Sequence, residues 1–359
     1  MARNCTASIN LSAIKQNYLY AKSLSPDSYA IAIVKANAYG HGAVMVAQYL
    51  QECADFFGVA CIEEALELRE SGLSKTPILL MEGIFELSEL NLAITNNLII
   101  TICSPLQLEW ILNATIHKKI DVFIKHDSGM GRLGFQDAQF KNAISSLEES
   151  INVGKITLMT HFASANNLNS KTTAEQVVNF ENAVGTNNHS LSLANSAAIM
   201  AWKSTHLGFT RPGIMLYGSS PFEDRAHLNE LAPVMTLSSP LISIKNFKAG
   251  QSIGYGERFI CKKDTLIGVV AIGYADGYPR SARDGTPVFI NGLRSTIAGR
   301  VSMDMITIDL SDIPNPQIGD QVELFGENIS IDEVAECCNT ISYEIFTKIT
   351  NRVYKTYVQ

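Results

Sequence analysis

Residues able to do chemistry recur in this chain at one kind of place, the end of a short apolar run. Lys35 closes "YAIAIVK", Lys125 and His126 close "IDVFIKH", His161 closes "KITLMTH", Asn195 ends "HSLSLAN" just before Ser196, and Arg211 lies in "GFTRPGIMLYG". A lysine turned into a partly dry rim sheds hydration, which disfavours its charged form and frees the lone pair for attack on a carbonyl. That is the state a Schiff-base lysine needs. Each residue alone has a plainer reading: a solvated lysine after a strand, a satisfied histidine, an arginine in an ion pair. Their placement on different strand ends of one rim is what favours chemistry.

The elements that must position them follow a rhythm. Eight apolar, β-branched runs ("YAIAIVK", "FFGVAC", "PILLMEG", "LIITIC", "IDVFIKH", "KITLMTH", "HSLSLAN", "GFTRPGIMLYG") alternate with amphipathic segments. Among these, "IEEALELRESG" closes on Gly72, and "SPLQLEWILNATIHKK" opens on a Ser-Pro start signal. Eight such units predict an α/β fold with an N-terminal (β/α)8 TIM-like barrel, a doubly wound sheet being the competitor. Barrel sites lie at the C-terminal strand ends, where the polar residues above converge. Ser196 and the backbone of Gly213 and Ile214 follow strands seven and eight, a usual place for a phosphate site.

After residue 231 strand-like runs succeed one another without helices, which predicts a mainly-β C-terminal domain. The expected domains are 1–231 and 232–359, with about the first ten residues a candidate to pack with the second. Asn291-Gly292 marks a type I′ hairpin. "SIDEVAECCNTISYEIFTKI" reads as one or two helices, with Ser330 as N-cap and Glu333 completing a capping box.

Composition excludes several classes. Of 359 residues 46% are apolar and 18% charged, with 28 basic and 35 acidic side chains giving −7 overall. No basic run exceeds two residues, which argues against nucleic acid as a partner. "MARNCTASIN" lacks the apolar core of a signal peptide, and the chargeless stretch Leu90 to Leu108 is broken by polar residues and Pro105. Neither export nor a membrane is expected. Seven cysteines without a C-x-x-C pair read as core residues of a reducing, cytoplasmic compartment. The scattered histidines suggest no metal site, and "GMGRLG" at 129–134 is out of frame for a dinucleotide loop.

The motifs "VKANAYGHG" (34–42), "KHDSGMGRLGF" (125–135), "THFASA" (160–165), "NSAA" (195–198), "RPGIMLYG" (211–218), "GYGERF" (254–259), "GYADGY" (273–278) and "GRVSMDM" (299–305) span almost the whole chain. Together they resemble the alanine racemase family. The resemblance implies a pyridoxal-5′-phosphate (PLP) enzyme that acts on alanine as a head-to-tail homodimer. It implies that Lys35 holds PLP as an internal Schiff base and serves as one base, and that Tyr255 of the partner subunit is the second. It further implies that Tyr39, Ser196, Gly213 and Ile214 hold the phosphate, His161 lies near the cofactor ring, and Arg211 faces the pyridine nitrogen. Arg132, Tyr274 and Met303, with Asp304 beside it, would help bind substrate carboxylate and cofactor phenolate. Lys125 occupies a position carbamylated in many relatives, where it orients the arginine at the position of Arg132.

The chemistry agrees. Racemisation removes a proton from one face of a carbon and returns one to the other, so two bases on opposite faces suffice where one rigid base does not. An arginine against the pyridine nitrogen keeps it unprotonated, because a second cation there is repelled. The chain departs from the family pattern at Ser302, where cysteine is usual, at Asn166, where an acid is frequent, and in the terminal "NRVYKTY". Rival readings are a broader amino-acid racemase, a barrel-type PLP decarboxylase and a non-catalytic PLP carrier. Ser302 in place of a cysteine disfavours the decarboxylase, and a second domain containing Tyr255 disfavours the carrier.

Overall fold

The computed structural model describes residues 4–224 and 227–359. After β1 (Thr6–Asn10) and the helix Leu11–Leu24, eight parallel strands close into a barrel: β2 (Tyr29–Ile33), β3 (Phe56–Val59), β4 (Ile78–Leu80), β5 (Leu98–Ile102), β6 (Ile120–Lys125), β7 (Val153–Met159), β8 (Ser190–Asn195) and β9 (Phe209–Arg211). Closure comes from β2 pairing with β9 through Tyr29–Phe209 and Ala30–Thr210. Successive side chains of a strand face opposite ways, so Ile31 and Ile33 fill the barrel with Leu79, Phe123 and Met159, while Ala30 and Ala32 join the core under the helices. Tyr29, Phe56, Phe123 and Phe209 pack edge to edge or tilted, with centroids 5.2–5.7 Å apart, and plug the N-terminal end.

The second part is built on β10 (Met235–Phe247), 13 residues long, whose two ends serve different neighbours. Its first half pairs with β1 and β17 (Gln321–Phe325), its second half with β13 (Thr265–Val270), which carries β16 (Ile306–Asp309). The short pair β11 (Ser252–Ile253) and β12 (Phe259–Ile260) flanks Tyr255. The hairpin of β14 (Pro287–Ile290) and β15 (Leu293–Thr296) turns at Asn291 (φ +50°) and Gly292 (φ +81°), the two positive φ values that a type I′ turn requires. A strand absent from the sequence reading, β18 (Tyr354–Val358), runs parallel to β1 with Thr6 opposite Tyr354. Its burial does not alternate, so no periodicity announced it. Residues 6–10 therefore belong to the same sheet as residues 354–358.

Three local expectations are corrected. The eighth run is a strand only over Phe209–Arg211, because Pro212 has no N–H to donate and Ile214–Tyr217 coils into a tight helical turn. The helix after Ser104, whose hydroxyl accepts from Gln107 N–H, stops at Asn113 instead of running on to Lys119. Ser330 does cap the helix Ile331–Cys337, accepting from Asp332 N–H at 3.1 Å, but Glu333 turns away to Arg294, so no capping box forms. Cys337 ends that helix and Cys338 follows it.

The helix Ser342–Lys348 lies against the barrel mouth. A Cβ on Gly40 would sit 2.3 Å from Phe346 O, and one on Gly42 2.1 Å from the Tyr357 hydroxyl. Only glycine permits this approach, and both positions have positive φ besides. Asp332 bonds to Ser219 Oγ at 2.5 Å and accepts from Ser220 N–H at 3.2 Å, and Ser219 and Ser342 hydroxyls meet at 2.6 Å. Burial pushes the Asp332 carboxyl above its ordinary range.

Candidate active site

Strand β2 ends one residue before Val34, and Lys35 opens a turn of unusual hand. Ala36, Asn37, Ala38 and Tyr39 have φ of +50° to +54°, four consecutive left-handed residues. Each such residue costs about 1–2 kcal/mol, so neighbouring bonds must impose the turn. Asn37 supplies two, its side-chain oxygen accepting from Ala43 N–H at 2.8 Å and its carbonyl from Gly42 N–H at 2.9 Å. Glu64 accepts from Ala36 N–H at 2.6 Å. Buried His41 Nδ1 lies 3.0 Å from the carbonyls of Ala38 and Tyr39, and burial lowers its pKa to about 3, so the neutral ring donates there. The turn sends Lys35 back over the barrel mouth and stacks the Tyr39 ring on Tyr217, centroids 4.8 Å apart.

Lys35, Tyr39, Lys125, Arg132, His161, Ser196, Arg211, Gly213 and Ile214 all line one cleft of about 780 Å³ at the C-terminal strand ends. A larger cleft of about 1000 Å³ opens at the opposite end, where the strands begin. Barrel chemistry belongs to the C-terminal end, and the smaller cleft holds the convergent polar groups.

Arg211 is almost fully buried. Its Nη1 donates to Ser192 Oγ at 2.6 Å, and its Nη2 to the carbonyls of Thr160 at 2.7 Å and Leu193 at 3.1 Å, with His161 Nδ1 at 3.5 Å. Burial lowers the guanidinium pKa to about 10, which leaves it charged at neutral pH. Burial, helped by Arg211 and Lys125, holds His161 well below its ordinary value and therefore neutral. Burial also brings Lys125 down to about 8. Tyr39 is pushed up to about 12, first by burial and then by the Glu82 charge. Gly213 N–H donates to Ser196 Oγ at 2.8 Å, and a Cβ on Gly213 would lie 2.9 Å from the Tyr39 hydroxyl. Arg132 rides on a loop that Asp127 gathers by accepting from the N–H groups of Gly129, Met130 and Gly131.

Tyr255, Tyr274, Met303 and Asp304 do not line the cleft. Tyr255 is 71% exposed, Met303 53% and Tyr274 37%, in sharp contrast to the buried groups at the mouth. They form a second constellation on the β domain. Gly254 and Gly256, both at positive φ, raise Tyr255 beside Arg300. Tyr274 and Ala275 N–H donate to the carbonyls of Ser302 and Met303 at 3.0 Å, an approach that requires Gly273, whose Cβ would fall 2.3 Å from Ser302 O. In the terminal segment, Arg352 bridges Asp304 at 2.5 Å and buried Asp276 at 3.2 Å.

Among the cleft residues that sequence reasoning missed, Glu82 and Tyr343 stand out. Glu82, 3.2 Å from Lys35 Nζ, is the last polar side chain of "PILLMEG" and met the same strand-end criterion as the others. Tyr343, its ring centroid 5.8 Å from that of Tyr39, arrives from a helix of the β domain, and no local pattern announces that contact.

Fold and site together define a class: a (β/α)8 barrel with a mainly-β second part and a lysine-centred, cation-lined cleft at the barrel mouth. Residues 9–221 match the model of the alanine racemase N-terminal domain, and residues 234–357 that of the alanine racemase C-terminal domain. The chain is 47% identical over 348 residues to the alanine racemase of Pseudomonas fluorescens, covering 97% of both chains. It is 45% identical to the catabolic alanine racemase of Pseudomonas putida, covering 99% of each. The crystal structure of the biosynthetic alanine racemase from Pseudomonas aeruginosa superposes with a TM-score of 0.96 at 44% identity, over 99% of this chain and all of that one. The Bartonella henselae alanine racemase, solved with covalently bound pyridoxal phosphate, superposes with a TM-score of 0.90 at 30% identity, over 99% of each chain. The chain belongs to the alanine racemase family.

Proposed function

We propose that this protein interconverts L-alanine and D-alanine with PLP held at Lys35. The observation that carries the reading is a single cleft in which Lys35, buried Arg211, neutral His161 and the Gly213–Ser196–Tyr39 cradle converge. The residues fit the cofactor. Tyr39 hydroxyl, Ser196 hydroxyl and the bare backbone of Gly213 make a pocket that a Cβ would fill, suited to a phosphate monoester with Ile214 beside it. Arg211, fixed by its bonds to Ser192, Thr160 and Leu193, would offer a cation to the ring nitrogen, and a cation there would keep that nitrogen unprotonated. When bound, PLP supplies an electron sink that acidifies the α-C–H of an amino acid.

The chain's own groups then divide the work. Lys35 Nζ takes or returns the α-proton on one face. Tyr255 of the partner subunit does so on the other. The exposure of Tyr255, Tyr274 and Met303 supports this sharing, since a second copy set head to tail would bring them to a mouth that their own barrel leaves without them. Arg132, Met303 and Tyr274 help bind the substrate carboxylate and the cofactor phenolate, Asp304 supports them, and Lys125 orients Arg132. Because enantiomers have equal free energy in water, two opposed bases lower one barrier in both directions.

We divide the chain at 231/232 for this purpose, with residues 6–10 counted in the second sheet. Among the described residues no helix is long and apolar enough to cross a membrane, and no cysteine is in a disulfide. From the family resemblance we further assign the enzyme to the cytoplasm, where it supplies D-alanine for peptidoglycan. The test is a circular-dichroism time course with added PLP, started separately from L-alanine and from D-alanine. Decay of both signals to zero is the expected result; persistence of either refutes the assignment.

A further inference from the structure

Resting on the racemase reading, one further role emerges for a residue to which none was assigned above. Glu82 follows β4, and its Oε1 lies 3.2 Å from Lys35 Nζ. Its backbone is clamped: the carbonyl accepts from Gln107 Nε2 at 2.9 Å and from Cys103 Sγ at 3.3 Å. Gly83 behind it has no room for a side chain, since a Cβ there would meet Thr101 O at 2.1 Å. The other carboxylate oxygen, Oε2, is buried and has no hydrogen-bond partner among the described residues. The main chain at Glu82 is therefore fixed, and the carboxylate bonds Lys35 without serving a structural network.

The charges around it are one-sided. Lys125, Arg132 and Arg211 share the cleft, His161 is neutral, and the Tyr39 phenol stays protonated. Glu344, the other acid in the wall, is bonded to Lys348 and Thr340. An ammonium at Lys35 thus faces three cations, and Glu82 is the acid within bonding distance.

We infer that Glu82 is a positioning residue for Lys35: its carboxylate fixes Nζ and stabilises the ammonium formed when that amine accepts an α-proton. In that step the C–H bond breaks with its electron pair staying on the substrate side, and the amine lone pair forms the new N–H bond. The carboxylate only accepts a charge-assisted hydrogen bond, so no further reactant is needed. The effect is confined to one face, because Tyr255 of the partner subunit serves the other.

Glu82→Gln keeps the size and an acceptor oxygen and removes the charge. In the PLP-loaded enzyme, initial loss of α-deuterium is measured separately from L-alanine and D-alanine. Loss from the enantiomer whose deuteron goes to Lys35 is expected to slow about tenfold, and loss from the other to change less than about twofold. In the PLP-free full chain, acylation of Lys35 by an amine-directed anhydride is followed by peptide mass spectrometry, with Lys263 as reference. Without the carboxylate Nζ loses the charge-assisted hydrogen bond that holds it, so Lys35 should label severalfold faster in Glu82→Gln, and Glu82→Asp should restore protection toward wild type. Equal slowing for both enantiomers with unchanged labelling overturns the inference. So does a variant that matches wild type in both readouts. Failure of the wild-type protein to racemise alanine defeats the functional reading instead, so the two failures are distinguishable.

Discussion

Gly40→Ala tests the joint between the Lys35 turn and the β domain. Gly40 has φ +82°, and an added Cβ would lie 2.3 Å from Phe346 O and 3.1 Å from its carbonyl carbon. Left-handed backbone costs an L-residue about 1–2 kcal/mol. Forcing a packed backbone aside adds about 1–3 kcal/mol, for a combined loss of about 2–5 kcal/mol. Gly72→Ala is the matched control, because Gly72 has φ +99° but nothing within 4 Å of the added carbon. It should suffer the conformational cost alone. Urea unfolding at fixed protein and PLP concentrations compares the two on one scale. The Gly40 variant is expected to lose about 2 kcal/mol more than the Gly72 variant. It alone should also bind PLP more weakly, because Phe346 rides on the helix that carries Tyr343 to the cleft. Equal losses of stability would refute the claim that this close approach holds the joint.

Other outcomes follow from the site. Lys35→Ala with PLP should lack the absorbance band of the lysine-bound cofactor, and an unchanged band would sink the assignment of Lys35. Tyr255→Phe should still exchange the α-proton of one enantiomer while losing interconversion; loss of PLP binding would instead make its role structural. Mixing inactive Lys35→Ala and Tyr255→Phe chains should recover about a quarter of wild-type activity, since each mixed dimer holds one intact site. No recovery on demonstrated subunit exchange would exclude a shared tyrosine. Burial lowers Lys125 to about 8 from an ordinary 10.5, so between those values the unfolded chain binds more protons and stability rises with pH. Lys125→Met should flatten that rise, as read from unfolding midpoints across the interval; an unaltered slope would contradict it.

The barrel was legible because its strands are buried on both faces and read as apolar runs at regular spacing. The same logic picked Lys35, Lys125, His161 and Arg211, whose positions at strand ends are local facts. It extended to Glu82, which was passed over although it met the same test. The eighth run was overextended because apolar content outweighed Pro212 and Gly213, whose backbone chemistry ends the strand. Glu333 misled for another reason: Arg294, on β15, competes for its carboxylate. β18 escaped notice because its pairing partner is β1, almost the full chain length away.

By itself the sequence determined the kinds of element and the order of the reactive residues along the rim, because strand burial, turn chemistry and capping act over a few neighbours. Tertiary structure alone decided which of those residues share a cleft, and that Tyr343 stands over Tyr39. It also decided the four left-handed residues after Lys35, whose strain is sustained by Asn37, Glu64 and His41 together. The separation of exposed Tyr255 and Met303 from the buried mouth belongs to the same level. Contacts between distant segments depend on how two packed units meet, and that geometry is set by the whole core and not by any one stretch of the chain.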